Sequence, residues 1–235
     1  MTKKFNPAVG FFLILALGIP RFVLVLQANE THNYRFVPLI FLVMILLPFV
    51  LLRTGERKEI GLKRPLSFAS ILVAFLAGVL ACSIFYGAAV MQFDFTVSNA
   101  FVYISNSYPV LSDVDKFTFF FIATIPSMIF SPLGEEFFYR GWVHKSFASR
   151  LGYQRASYVD GAAFALTHLA HFGIVYVADR WQFLTIPSLI WVAEMFLVSL
   201  VFSFFRRKSD SIWGAVACHA GFNAAMSYFI VYEIL

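Results

Sequence analysis

Seven stretches of this sequence are long and apolar enough to cross a lipid bilayer, and that removes most folds from consideration. A hydrocarbon core of about 30 Å takes roughly 20 apolar residues of helix. The stretches run over 8–27, 36–52, 67–92, 117–139, 156–177, 185–205 and 211–233. None alternates apolar and polar residues as a transmembrane barrel strand does. In lipid each backbone N–H and C=O needs a partner within its own segment, so the spans are helical. The expected fold is an all-α polytopic transmembrane helix bundle of about seven spans. Composition agrees: 60% of the 235 residues are hydrophobic and only 13% are charged, against about 25% charged in soluble domains. Such a chain is too apolar for a disordered one. It also has too little polar surface for a soluble globule. Cys82 and Cys218 are the only cysteines and both sit in apolar runs, so no disulfide framework is expected.

The first stretch follows Lys3 and Lys4 and runs past Pro20 and Arg21 to Leu26 without a small-x-small cleavage site. It is read as a retained span rather than a cleaved signal. Basic residues orient the spans. Lys3, Lys4, Arg53, Arg57, Lys58, Lys63, Arg64, Arg140, Lys145, Arg150, Arg155, Arg206, Arg207 and Lys208 fall on one side, and only Arg35, Lys116 and Arg180 on the other. Fourteen against three is a strong positive-inside bias. The expected protein is therefore an integral, multi-pass protein of the cell membrane with a cytoplasmic N-terminus and its C-terminus outside. The longest loop, 93–116, carries Asp94, Asp113 and Asp115 on the outer side, and Thr54–Pro65 is a short basic connector. This asymmetry accounts for the formal charge of +5. A nucleic-acid surface would instead need a water-exposed basic face with interleaved aromatics, so no nucleic-acid partner is expected. Residues 1–114 are read as N-terminal transmembrane helices with the basic loop, and 115–235 as a transmembrane core.

A charged side chain near the bilayer centre costs at least about 2.5–3.5 kcal/mol, so each one asks for a reason. The fourth stretch holds Glu135 and Glu136 with Arg140 at its inner end; the fifth holds His168 and His171. The sixth holds Glu194, and the seventh His219 and Asn223. Glu136 and Arg140 are four apart and share a helix face, where they can pair. Glu135 is turned about 100° from Glu136, so the two carboxylates serve different ends. Pro126 and Pro132 precede them and interrupt regular helix bonding. Counting about 1.5 Å per residue, Glu135, His168 and His219 all fall in the inner half of the membrane, at one level. His32 and His144 lie near membrane edges and are read as solvated.

Glu135-Glu136-Phe137-Phe138-Tyr139-Arg140 resembles the Glu-Glu-x3-Arg motif of the CAAX protease and bacteriocin-processing family of intramembrane glutamate proteases. Phe164-Ala165-Leu166-Thr167-His168 is similar to its Phe-x3-His motif, and His219-Ala220-Gly221-Phe222-Asn223 to its His-x3-Asn segment. The three stand in the family's order over roughly 115–230. Members commonly have eight spans, one more than is read here. The resemblance implies an intramembrane peptide hydrolase in which Glu135 is the general base and His168 helps hold the water. It further implies that His219 and Asn223 stabilise the oxyanion, with Glu136 and Arg140 as a supporting pair and no metal or other cofactor. A partly desolvated carboxylate suits general base and then general acid work. His171 and Glu194 match no motif and are read as structural or cavity-lining. Expected partners are the bilayer and a peptide or protein substrate: a lipidated or membrane-associated tail, or a leader peptide. A site in the inner half favours entry from the cytoplasm or inner leaflet.

Three other readings compete. Glu135, His168 and His219 could serve as three ligands of an open catalytic zinc, although the His-Glu-x2-His helix signature is absent. A bacteriocin-immunity or scaffold membrane protein would keep the fold without catalysis. A transporter would need an inverted repeat or paired broken helices, and neither is visible.

Overall fold

The computed structural model describes residues 4–108 and 114–235; Lys3 and Asp113 lie outside them. The fold class is as expected, a bundle of helices. In chain order these are α1 (Pro7–Thr31), α2 (Val37–Leu51), α3 (Thr54–Glu59), α4 (Phe68–Phe93), α5 (Ala100–Ser105) and α6 (Lys116–Leu151). After them come α7 (Tyr153–Thr167), α8 (Thr185–Ser209) and α9 (Ile212–Ile234). Of these, α1, α4, α6, α8 and α9 are long and apolar enough to cross a membrane, while α2 is a shorter apolar helix.

Polar residues at the expected boundaries set the helix starts. Asn6 accepts a hydrogen bond from the Val9 amide, with Pro7 in the first turn. Ser67, Asp115 and Ser211 cap α4, α6 and α9 in the same way. His32 and Asp210 take left-handed backbone conformations that end α1 and α8.

One stretch departs from expectation. Residues 156–177 do not form a single spanning helix, because α7 stops at Thr167. A single 3-10 turn, His168–Ala170, follows, then an antiparallel hairpin of β1 (Ile174–Val177) and β2 (Arg180–Phe183). Ala178 and Asp179 both have positive φ, as a two-residue hairpin turn of primed type requires. Non-helical backbone at this depth is tolerated only when the protein itself satisfies its polar groups. It does so here. Asn29 donates to the Ala170 carbonyl (2.8 Å), Trp191 to the His168 carbonyl (3.0 Å), and the Tyr176 amide to the Tyr103 hydroxyl (2.9 Å).

The tightest helix contact joins α4 to α9. A Cβ added at Gly78 would lie 1.8 Å from the Cys218 carbonyl oxygen, and one at Gly221 would lie 2.0 Å from that of Phe75. Small residues let the two backbones meet, as in other membrane interfaces. The opposite face of α4 is bare of protein, with Phe68, Leu72, Leu76, Leu80 and Ile84 exposed, as lipid contact requires.

Within α6 the hydrogen bonding changes register. Glu136–Val143 is a π segment, all eight of its residues are buried, and it begins four residues after Pro132. Such insertions in helices concentrate at functional sites.

Candidate active site

Four helices deliver the polar side chains to one place. The π segment and the residue before it carry Glu135, Glu136 and Arg140, and the 3-10 turn after α7 carries His168, with His171 just past it. His219 and Asn223 come from α9, and Arg21 comes from α1. Arg21, Glu135, Glu136 and Arg140 have essentially no exposed surface.

Glu135 sits at the centre. Its Oε1 accepts a hydrogen bond from Arg21 Nη2 at 2.5 Å. Its Oε2 lies 4.0 Å from His168 Nε2 and 3.9 Å from His219 Nε2. Those separations are too long for direct hydrogen bonds and match the span that a single bridging oxygen covers. Each ring is fixed from its far side. His168 Nδ1 is 2.7 Å from the Phe164 carbonyl, which only accepts, so Nδ1 carries a proton and Nε2 is turned toward Glu135. His219 Nδ1 is 2.8 Å from Glu136 Oε1, and its ring stacks on Phe202 at 4.7 Å.

Behind this pair lies a second layer of charge. Arg140 Nη1 is 3.3 Å from Glu136 Oε1, the expected partner four residues away, and its guanidinium lies 4.2 Å from the centre of the Phe164 ring. Arg140 Nε also approaches Asp160 Oδ1 at 3.8 Å, and Asp160 Oδ2 is 2.7 Å from His144 Nδ1. The expectation of a solvated His144 is therefore corrected: the residue is buried, because Asp160 on α7 holds it inward. His32 is exposed.

Arg21, His168, His171, His219 and Asn223 line a cavity of about 350 Å3 together with Phe41, Phe130, Trp191 and Phe222, whereas Glu135 is fully buried and is not among the lining residues. Asn223 Nδ2 donates to the Ser127 carbonyl at 2.8 Å. His171 lines the cavity with Nε2 3.3 Å from Arg21 Nη2. Glu194 does not reach it; it is half-buried on α8 and absent from the lining. Tyr34, in the α1–α2 loop outside the spans, lines the cavity toward one end. Burial pushes its phenol up, and its hydroxyl donates to Asn29.

Sequence reading missed two members, Arg21 and Asp160. Each is an ionisable residue inside an apolar stretch, which is the signal that picked out the others. Arg21 is also the only one of the 18 basic residues assigned to neither side of the membrane. Arg21 bears on the zinc alternative as well. Its guanidinium already supplies positive charge among the three would-be ligands, where a metal cation would be repelled.

The family model described as type II CAAX prenyl endopeptidase Rce1-like matches residues 117–225. No curated protein and no solved structure matches the chain. The matched region holds Glu135, Glu136, Arg140, His168, His219 and Asn223, and excludes Arg21. Three motifs in order, two of which supply lining residues of one cavity, thus coincide with the family match, and residues 117–225 of this integral membrane protein are similar to the CAAX protease family.

Proposed function

We propose that the protein is a membrane endopeptidase of glutamate type, which hydrolyses a peptide bond with a water activated between Glu135 and His168. The observation that supports this reading is the position of Glu135 Oε2 between two imidazole nitrogens, 4.0 and 3.9 Å away, a span that one water can bridge. Glu135 Oε2 takes the proton of the attacking water, and Nε2 of His168 accepts the water's other hydrogen bond. The new oxyanion faces His219 and the Asn223 amide, and Glu135 then returns its proton to the leaving amine. Arg21 holds Oε1 and so turns Oε2 toward the water. Glu136 and Arg140 fix the His219 ring. The substrate is a peptide or protein segment held against the membrane, such as a lipidated tail or a leader peptide. On this reading the N-terminus is cytoplasmic and the membrane is the cell membrane, which the positive-inside bias supports.

Peptidomics of membranes carrying wild-type or Glu135→Gln protein tests the reading. One precursor is expected to accumulate uncut in the variant; identical peptide profiles would favour a non-enzymatic scaffold. A strong zinc chelator is expected to leave cleavage unchanged, whereas loss that added zinc restores would establish the metal alternative. For the oxyanion assignment, Asn223→Ala is expected to lower kcat by about 10²–10³-fold with KM little changed, the usual cost of one such donor. An equal change in both constants would remove Asn223 from that role.

A further inference from the structure

The cavity runs toward only one end of the bundle. On α6 its lining residues are Ala123, Pro126, Ser127, Phe130 and Ser131, all N-terminal to Glu135. On α9, which runs the opposite way, they lie from His219 toward the C-terminal end, and on α8 none lies beyond Phe202. Past the helices the lining continues into Tyr34, Ile104, Ser107 and Tyr108, in the α1–α2 connection and the long loop. These are the connections that the sequence assigns to the side poor in Lys and Arg.

The basic end is closed. Between the Glu/His cluster and that end, Tyr139, Trp142, Val143 and Phe147 are buried. Trp142 Nε1 donates to the Lys4 carbonyl (3.1 Å), and the Ile212 amide donates to the Gly61 carbonyl (2.9 Å). Arg206 reaches the Ile60 carbonyl (3.3 Å), and Ile60 itself is fully buried.

A positive-inside bias puts the closed end in the cytoplasm. Resting on the peptidase reading of this cavity, we infer that it admits substrate from the extracytoplasmic face. Its substrates are then apolar, membrane-proximal segments of translocated proteins or exported peptides, and not tails held at the cytoplasmic leaflet. Depth alone had pointed to the inner side. The open path, rather than the level of the catalytic groups, decides which peptides can arrive.

Single-cysteine labelling of the full chain tests this. Cys82 and Cys218 are both buried and supply the background. Ser131→Cys places a thiol inside the cavity, one helical turn before Glu135, and Gly55→Cys places one at the basic end, where nothing lies within 4 Å. A charged, membrane-impermeant methanethiosulfonate is added to right-side-out and to inside-out vesicles. Ser131→Cys is expected to label in right-side-out vesicles with loss of labelling in inside-out ones, and Gly55→Cys the reverse. Labelling of Ser131→Cys from the inside, from both sides or from neither overturns the inference. A quenched apolar heptapeptide with a lysine at each end is given to the same preparations. Cleavage confined to inside-out vesicles also overturns outer entry while leaving the peptidase reading intact. No cleavage anywhere, with Ser131→Cys labelled from outside, overturns the peptidase reading alone.

Discussion

Glu135→Gln is expected to lower peptide cleavage by about 10²–10⁴-fold, the contribution of a positioned general base. The same substitution also leaves Arg21 buried without its counter-charge. Breaking a buried pair from one side costs roughly 3–5 kcal/mol. For a chain of this size that is about 6–20 °C in melting temperature. Lost activity therefore needs separating from lost structure. Pairing Glu135→Gln with Arg21→Gln removes both charges and lets two amides meet where the ions were. The double variant is expected to regain much of the melting temperature of the wild type and none of its activity. Recovery of cleavage together with stability would show that Glu135 acts only as a structural anion. Measurements in detergent micelles, with cleavage normalised to the folded fraction, distinguish the two outcomes.

Gly78→Ala is expected to lower the melting temperature by about 6–12 °C, and Gly78→Leu to leave no monodisperse protein on size-exclusion chromatography. The added Cβ would meet the Cys218 carbonyl oxygen at 1.8 Å and the Phe222 amide nitrogen at 2.8 Å. Those are backbone atoms of α9, so no rotamer change relieves the clash and the two helices must separate. Overpacking a fitted contact costs about 1–3 kcal/mol, and here the upper end applies. Gly87 lies on the same helix with nothing within 4 Å of an added Cβ, so Gly87→Ala is expected to leave the melting temperature unchanged. Because alanine is the better helix former, equal losses from both substitutions would mean that something other than the α4–α9 contact sets the effect. Because α9 also carries His219 and Asn223, a small displacement at Gly78→Ala is expected to reduce cleavage in the protein that still folds.

What the sequence could say depended on how local the signal was. A carboxylate or imidazole inside an apolar run stands out by itself, so Glu135, Glu136, His168, His219 and Asn223 were legible, as was the Glu136–Arg140 pair at four-residue spacing. Arg21 pairs with Glu135 across 114 residues, and no periodicity links them. The break in the stretch 156–177, where helix gives way to a 3-10 turn and a first strand, was hidden for another reason. Hydropathy records that a segment avoids water, not whether lipid or protein surrounds it, and Asn29, Tyr103 and Trp191 make non-helical backbone acceptable there. His144 was misjudged because its partner Asp160 sits on a different helix. The direction of the cavity is a property of packing that no single helix carries.

The long-range pair between Arg21 and Glu135 also has a consequence for biosynthesis. A ribosome adds about 5–20 residues each second, so Arg21 precedes Glu135 out of the exit tunnel by roughly 6–23 s. Through that interval α1 has a guanidinium at membrane depth, at a cost of about 2.5–3.5 kcal/mol, with its counter-ion not yet made. The first helix is therefore held on credit, near the interface or beside the translocon, until α6 arrives. The contact that holds Glu135 is then also the event that commits the first helix to the bundle.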